Sequence, residues 1–170
     1  MDTYLAVASK RDWRSYADRP VPEDVQRRIL DAGRLSGSAS NRQQWRFVVI
    51  EDEDWKKTVA PTVYAAGNIE TAAFVVVIVT EEGRRPFDVG RAAQNMMLAA
   101  WNDGVASCPN GMPDAAGTAD ALGLEGDLLP VIVISFGYPR RDLAPESKSA
   151  EDWSAEANRL PLDELVIRRR

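Results

Sequence analysis

The sequence predicts one domain that mixes α and β structure, with its strands gathered in a single sheet. Three observations carry that expectation. The chain has 170 residues, the size of one ordinary domain with a real core. Four short apolar runs, at residues 45–51, 74–79, 105–108 and 131–136, read as strands. Between them lie stretches whose apolar residues recur at intervals of three and four, the mark of amphipathic helices.

Each element follows in order. Residues 2–8 read as a short helix with Leu5 facing inward. Pro20 and Pro22 followed by Glu23 and Asp24 make a helix start, and Val25, Ile29, Ala32 and Leu35 keep helical spacing up to Ser36 and Gly37. A helix from about Asp52 is interrupted at Pro61, and Ala65-Ala66-Gly67-Asn68 makes a turn. The β-branched run 74–79 is the pattern of a strand covered on both faces. In the helix at 88–102, Val89, Ala92, Ala93, Met96, Ala99 and Ala100 repeat at three and four. Met97, Leu98 and Trp101 carry its apolar surface nearly all round, which predicts burial. The strand at 105–108 enters a loop at 109–113, and residues 114–122 form a small helix. Beyond the last central strand, Gly137-Tyr138-Pro139 ends the sheet. From Arg140 the chain turns polar and loses periodicity until residues 160–166, so this tail is expected to lie on something else.

Composition removes several function classes. A net charge of −5 argues against general nucleic-acid affinity, which needs a basic face. No apolar run approaches the roughly 20 residues that span a bilayer, and the N-terminus lacks a secretory h-region. A single cysteine, Cys108, excludes an internal disulfide framework and fits the reducing cytoplasm. There are no histidines, which rules out Ser-His-Asp and Cys-His catalysis and histidine-based zinc or iron sites. An enzyme so composed would rely on an organic cofactor for its difficult step.

Two clusters suggest what that cofactor is. Lys10-Arg11-Asp12-Trp13-Arg14-Ser15-Tyr16 places three cations within five residues, suited to phosphate or to a carbonyl edge. Ser38-Ala39-Ser40-Asn41-Arg42-Gln43-Gln44-Trp45 sets short polar side chains at the mouth of a strand. Together they suggest a phosphate-bearing ring cofactor, with a solvated surface loop and an ordinary turn or helix cap as the plainer readings of the two clusters. Ser107-Cys108-Pro109-Asn110-Gly111 runs a strand into a Pro/Gly loop that can present backbone N–H groups, or form an ordinary tight turn. Cys108 reads as a small core residue, and Asp88 as a helix cap.

The order of these pieces resembles a known family. The first cluster looks like Arg-Arg-Ser-x-Arg-x-Phe and the second like Ser-x-x-Asn-x-Gln-Pro-Trp. Asp88-Val89-Gly90, Gln94-Asn95, Leu98-Ala99-Ala100, Gly104 and Ser107-Cys108 resemble its central helix and next strand, and Gly137-Tyr138-Pro139 and residues 159–166 complete the pattern. The chain is similar to the FMN-dependent nitroreductases along almost its whole length.

That resemblance implies an α+β fold with a central mixed sheet flanked by helices, in an interlocked homodimer holding FMN at the subunit interface. Residues 1–170 would be one domain whose segment from about 139 wraps the partner, with the helix at 88–102 in the interface. Lys10, Arg11 and Arg159 would hold the FMN phosphate, with Asp12 near the ribityl chain. Arg14 would sit at the N1/C2 carbonyl edge of the flavin, where a guanidinium stabilises the reduced state, and Asn68 at the same pyrimidine edge. Ser38, Ser40 and Asn41, with Gln43 beside them, would come from the other subunit, while Pro109, Asn110 and Gly111 approach N5. NAD(P)H would reduce the flavin, and a nitroaromatic or quinone would then be reduced in a ping-pong cycle, with no catalytic side chain and no metal required. Reductive dehalogenation, oxidation of a bound intermediate, or a non-enzymatic flavin-binding dimer are the alternatives.

The departures from the pattern are specific. Lys10 stands for Arg, Asp12 for Ser, Gln44 for Pro, and Ala157 for a second basic residue; Asp12 and Ala157 weigh toward weaker FMN binding. Only residues 81–87 join strand to central helix, where many relatives carry a further helical excursion. A more open pocket is expected, with Glu81 to Arg85 a solvated connector.

Overall fold

The computed structural model describes residues 1–81 and 86–169. Four strands, β1 (Trp45–Ile50), β2 (Phe74–Glu81), β3 (Ala106–Asn110) and β4 (Leu128–Gly137), form one sheet in the order β1-β2-β4-β3. All neighbouring strand pairs run antiparallel. The expected mixed sheet therefore keeps only one parallel element among the described residues, an isolated bridge between Asp12 and Ser107. The β-branched run of β2 signals double-sided burial correctly, and that burial comes from a central antiparallel position. Phe74, Val76 and Ile78 join the core on one face, while Val75, Val77 and Val79 join the core on the other, as the two-residue period of a strand dictates. Phe74 and Phe136, opposite each other on β2 and β4, stack with ring centroids 4.9 Å apart. Pro130 lies on β4 beyond the reach of β3, where its missing N–H costs no ladder bond on that side.

The first core is closed by α2 (Glu23–Arg34) and α5 (Pro86–Asn102). The two helices approach closely at Gly33, where a Cβ would overlap the Met96 side chain. α5 is less uniformly apolar in place than its sequence suggests: Arg91, Gln94 and Asn95 form an exposed strip, and Leu98 and Ala99 are half-buried. It also starts two residues earlier than expected, so Asp88 lies within the first turn instead of capping it. The second core is covered by α3 (Glu53–Val59), α4 (Ala66–Glu70) and α6 (Ala115–Ala121) with their flanking residues. Asp52 caps α3 by accepting from the N–H groups of Asp54 and Trp55. The expected turn at Ala65 to Asn68 is the opening of α4, and Pro109 and Asn110 belong to β3, not to a loop. In both places tertiary pairing extends an element past its local turn signal. Residues 82–85 of the short connector lie outside the described residues.

Residues Arg11–Leu143 form one compact unit; Met1–Lys10 with Ala144–Arg170 form a second. Within the second, α1 (Thr3–Ser9) packs against α7 (Ala150–Glu156), and α8 (Leu162–Leu165) follows. The tail thus holds more regular structure than its loss of periodicity suggests. Ser149 and Asp152 form a capping box at the start of α7, a three-residue spacing present in the sequence. Lys148 pairs with Glu156 at 2.6 Å and lies over the Trp153 ring, whose Nε1 donates to Pro145 O at 2.8 Å.

Gly137 ends β4 beneath the Tyr16 side chain. A Cβ there would stand 2.8–2.9 Å from Tyr16 Cγ, Cβ and Cδ1, atoms fixed by the buried ring. Gly137→Ala is expected to lower unfolding stability by about 1–3 kcal/mol through overpacking, read as a lower urea midpoint at unchanged slope.

Candidate functional site

The cation loop is not a free surface segment. Its backbone is docked on the edge of the sheet: Trp13 N donates to Ser107 O at 3.0 Å and Ala17 N to Tyr138 O at 2.8 Å. Asp12 bridges Ser107, and Tyr16 bridges Pro139. The Tyr16 side chain, 2% exposed, drives this docking by filling the second core. Its hydroxyl donates to Trp13 O (2.8 Å) or Ser135 O (3.1 Å) and lies 2.8 Å from Ser135 Oγ. Arg11 is half-buried, while Arg14 is exposed and forms no ion pair with another described residue.

Because β3 is the sheet's edge strand, the same docking lays the loop beside the segment ending at Pro109, Asn110 and Gly111. Here the structure amends the reading of individual side chains. Asn110 is buried, and its Nδ2 donates to Cys108 O (2.9 Å) and faces Ser135 Oγ (3.3 Å) and Val133 O (3.4 Å). Asn68, on α4, donates from Nδ2 to Asn110 Oδ1 at 2.6 Å and faces Cys108 Sγ at 3.7 Å. Both asparagines thus commit amide groups to each other and to the sheet, so Asn110 can serve a ligand only through its backbone. Gly111 is exposed, accepts from Tyr64 N at 3.0 Å, and is flanked by the Tyr64 ring.

The second cluster is built as a tight, left-handed knot. Ser40, Asn41 and Gln43 adopt φ of 52°, 51° and 50°, a region that costs non-glycine residues about 1–3 kcal/mol each and gathers at ligand clamps. Among the bonds that hold it, Ser38 Oγ accepts from Gln43 N at 2.9 Å, and Asp88 accepts from Ala39 N at 3.1 Å. The Asp88 carboxylate therefore anchors this loop from α5. Ser40, Asn41 and Gln43 are exposed, with side chains presented outward. The knot leads into β1, whereas Pro109 and Asn110 lie on β3, with Gly111 just past it, at the opposite edge. Three strand spacings, roughly 14 Å, separate those edges. One chain does not bring these two predicted groups together.

Lys10 ends α1 and Arg159 follows α7, both in the second compact unit; Lys10 is half-buried and Arg159 exposed. A separate cleft of about 500 Å³ is lined by Arg19, Lys56 and Arg140 together with Asp18, Glu53 and Glu70. With three charges of each sign it is a poor phosphate site, and the charge balance favours the cation loop. Tyr16 belongs to the cation cluster, but its hydroxyl's role, like Ser135 and Tyr64, carries no motif in the sequence. Ser135 was detectable as the lone polar residue in the apolar run of β4.

Burial pushes the Tyr16 phenol well above its ordinary range; the Ser135 hydrogen bond works against the rise, and Cys108 and Asp12 add to it. The phenol is therefore neutral throughout the working range and acts by hydrogen bonding alone. Below about pH 10 it is protonated in folded and unfolded chains alike, and its contribution is fully present. Above that, the unfolded chain releases the proton and the folded chain keeps it, so stability falls as pH rises. Tyr16→Phe is expected to flatten this alkaline loss in denaturant titrations from about pH 8 to about pH 11.

Comparison with known proteins places this geometry. The sequence profile of the nitroreductase family matches residues 7–87 and 63–138. A Methanothermobacter thermautotrophicus protein, provisionally named an NADH dehydrogenase/NAD(P)H nitroreductase, is 29% identical, with 90% of this chain and 88% of that one aligned. An Archaeoglobus fulgidus protein of the same provisional name is 26% identical over 79% and 83% of the two chains. Among solved structures, a provisionally named nitroreductase from Desulfovibrio desulfuricans in complex with FMN superposes with a TM-score of 0.82 at 25% identity, covering 100% of this chain and 98% of that one. A nitroreductase family protein from Clostridium difficile 630 gives the same TM-score at 22% identity, covering 98% of each chain. With the profile crossing the docked cation loop, the polar knot and the sheet between them, the chain belongs to the nitroreductase family.

Proposed function

We propose that this chain is a cytoplasmic, homodimeric FMN oxidoreductase. It would take two electrons from NAD(P)H and pass them to a flat acceptor, a nitroaromatic or a quinone, in alternate steps. The observation that carries this reading is the docking of the Asp12 to Ala17 backbone on Ser107 of β3 and on Tyr138 and Pro139 just past β4, with β3 leading on to Gly111.

The donor set fits FMN. Arg14, exposed and without an ion pair to another described residue, offers a planar fork for the pyrimidine carbonyl edge. Arg11 supplies positive charge for the phosphate. Pro109 lacks an N–H and Gly111 has one, beside the exposed Tyr64 ring that fills the space a side chain at Gly111 would take. Bound FMN would supply the electron carrier, accepting hydride at N5. The residues around it would bind, orient and exclude water; no protein acid is required.

The distance across the sheet supports a dimer. Ser38, Ser40, Asn41 and Gln43 cannot close over their own Gly111, but a second copy can bring its own knot to that edge. Leu160, Leu162, Leu165 and Ile167, exposed in the C-terminal segment, offer apolar surface suited to burial on a partner. The FMN held by the Desulfovibrio desulfuricans relative supports the cofactor, and the names of the archaeal relatives support the nucleotide.

FMN titrated into the purified protein is expected to bind at one per chain, and anaerobic NADH or NADPH to bleach it. Benzoquinone or nitrofurazone should then restore the colour. Arg14→Ala is expected to weaken FMN binding by about 10- to 100-fold, the range of a charge-assisted hydrogen bond. FMN uptake without bleaching by either nucleotide would favour a different flavin reaction, and no uptake at micromolar FMN would sink the proposal.

A further inference from the structure

We propose that Tyr16 is a positioning residue for this flavin site, acting through Ser135 and Asn110 to hold Arg14 in fixed relation to Gly111. The inference rests on the FMN reading above. It starts from a continuous buried polar chain that packing alone does not require. Tyr16 Oη bonds Trp13 O at 2.8 Å and Ser135 Oγ at 2.8 Å. Ser135 Oγ lies 3.3 Å from both Cys108 O and Asn110 Nδ2. Asn110 Oδ1 accepts from Asn68 Nδ2 at 2.6 Å, which ties the chain to α4. Proton by proton the links are compatible: the phenol donates to a carbonyl, the Ser135 hydroxyl donates to the phenol or to Cys108 O, and the amides donate onward.

Two features aim this chain at the site. Trp13 O is the carbonyl immediately before Arg14, so the Tyr16 bond fixes the peptide that carries the guanidinium. Asn110 is the residue immediately before Gly111. One hydroxyl therefore links the two backbone segments that would contact opposite edges of the flavin's central and pyrimidine rings. The family pattern has phenylalanine here, which fills the same core volume with no hydroxyl, so the phenol and its bonds are an addition of this chain that packing does not require. In a dry core each link is strong and an unpaired member is costly, so the chain sets a single geometry. Holding a site to within about 0.5 Å is what such a supporting layer supplies.

The test uses full-length Tyr16→Phe, Ser135→Ala and the double variant. It reads FMN affinity by titration, the midpoint potential of bound FMN, and the melting temperature of the apoprotein. Each single variant is expected to weaken FMN about tenfold. A displaced Arg14 would also favour reduced over oxidised FMN less, and a tenfold loss of that preference lowers the midpoint potential by about 30 mV for two electrons. The double variant should be no worse than either single one, because both break the same link. Affinity and potential unchanged, with only the melting temperature lowered, would reduce Tyr16 to a packing residue and overturn the inference. If Tyr16→Phe does not fold, Ser135→Ala carries the same two outcomes. Wild-type protein that takes up no FMN overturns the functional reading and this inference with it; normal wild-type uptake with unaltered variants overturns this inference alone.

Discussion

Everything distinctive about the site depends on one attachment, the seating of the Trp13 to Ala17 backbone against the ends of β3 and β4. Without it, Arg11 and Arg14 would sit on an ordinary solvated loop, where cations carry no information about a ligand. The attachment is hydrophobic in origin: the Tyr16 ring enters the second core over Gly137, and the backbone bonds to Ser107 and Tyr138 follow. The Arg19 guanidinium carbon lies 3.8 Å from the Tyr138 ring centroid, and Arg140 Nε donates to Tyr16 O at 3.4 Å, which adds to the hold on this segment.

The sheet then divides the labour. Its two edges carry two different groups of polar residues, and antiparallel order places them three strands apart. The β3 edge offers cations and backbone; the β1 edge offers the strained Ser38 to Gln43 knot. The strain in that knot is supported locally, by Ser38 Oγ within the loop and by Asp88 from the first turn of α5. Its exposed side chains are therefore carried on a backbone that these bonds constrain.

Much of this was legible in the chain. The β-branched run of β2, the Pro/Glu start of α2 and the small residues of α5 each specified their element through a strong local pattern. The cation cluster and the Ser/Asn/Gln cluster were visible by residue type. What the pattern could not carry was pairing. Whether Asn110 sits in a loop or a strand depends on β4 lying beside it, and whether Asn68 begins a turn or a helix depends on what its side chain meets. Both asparagines looked like ligand groups because they are polar; both turn their amides toward each other because they are buried. The C-terminal segment hid its order because α7 is capped by Ser149 and Asp152 and packed on α1, neither of which produces a long apolar period.

The central claim is that the cation loop is part of the folded sheet edge before any ligand arrives. Native-state hydrogen exchange on the apoprotein tests it most directly. Docking predicts that the Trp13 and Ala17 amides exchange with protection comparable to the neighbouring amides of β4, as members of one cooperative unit. Exchange of those two amides at the rate of a solvated loop, with β4 still protected, would contradict the account.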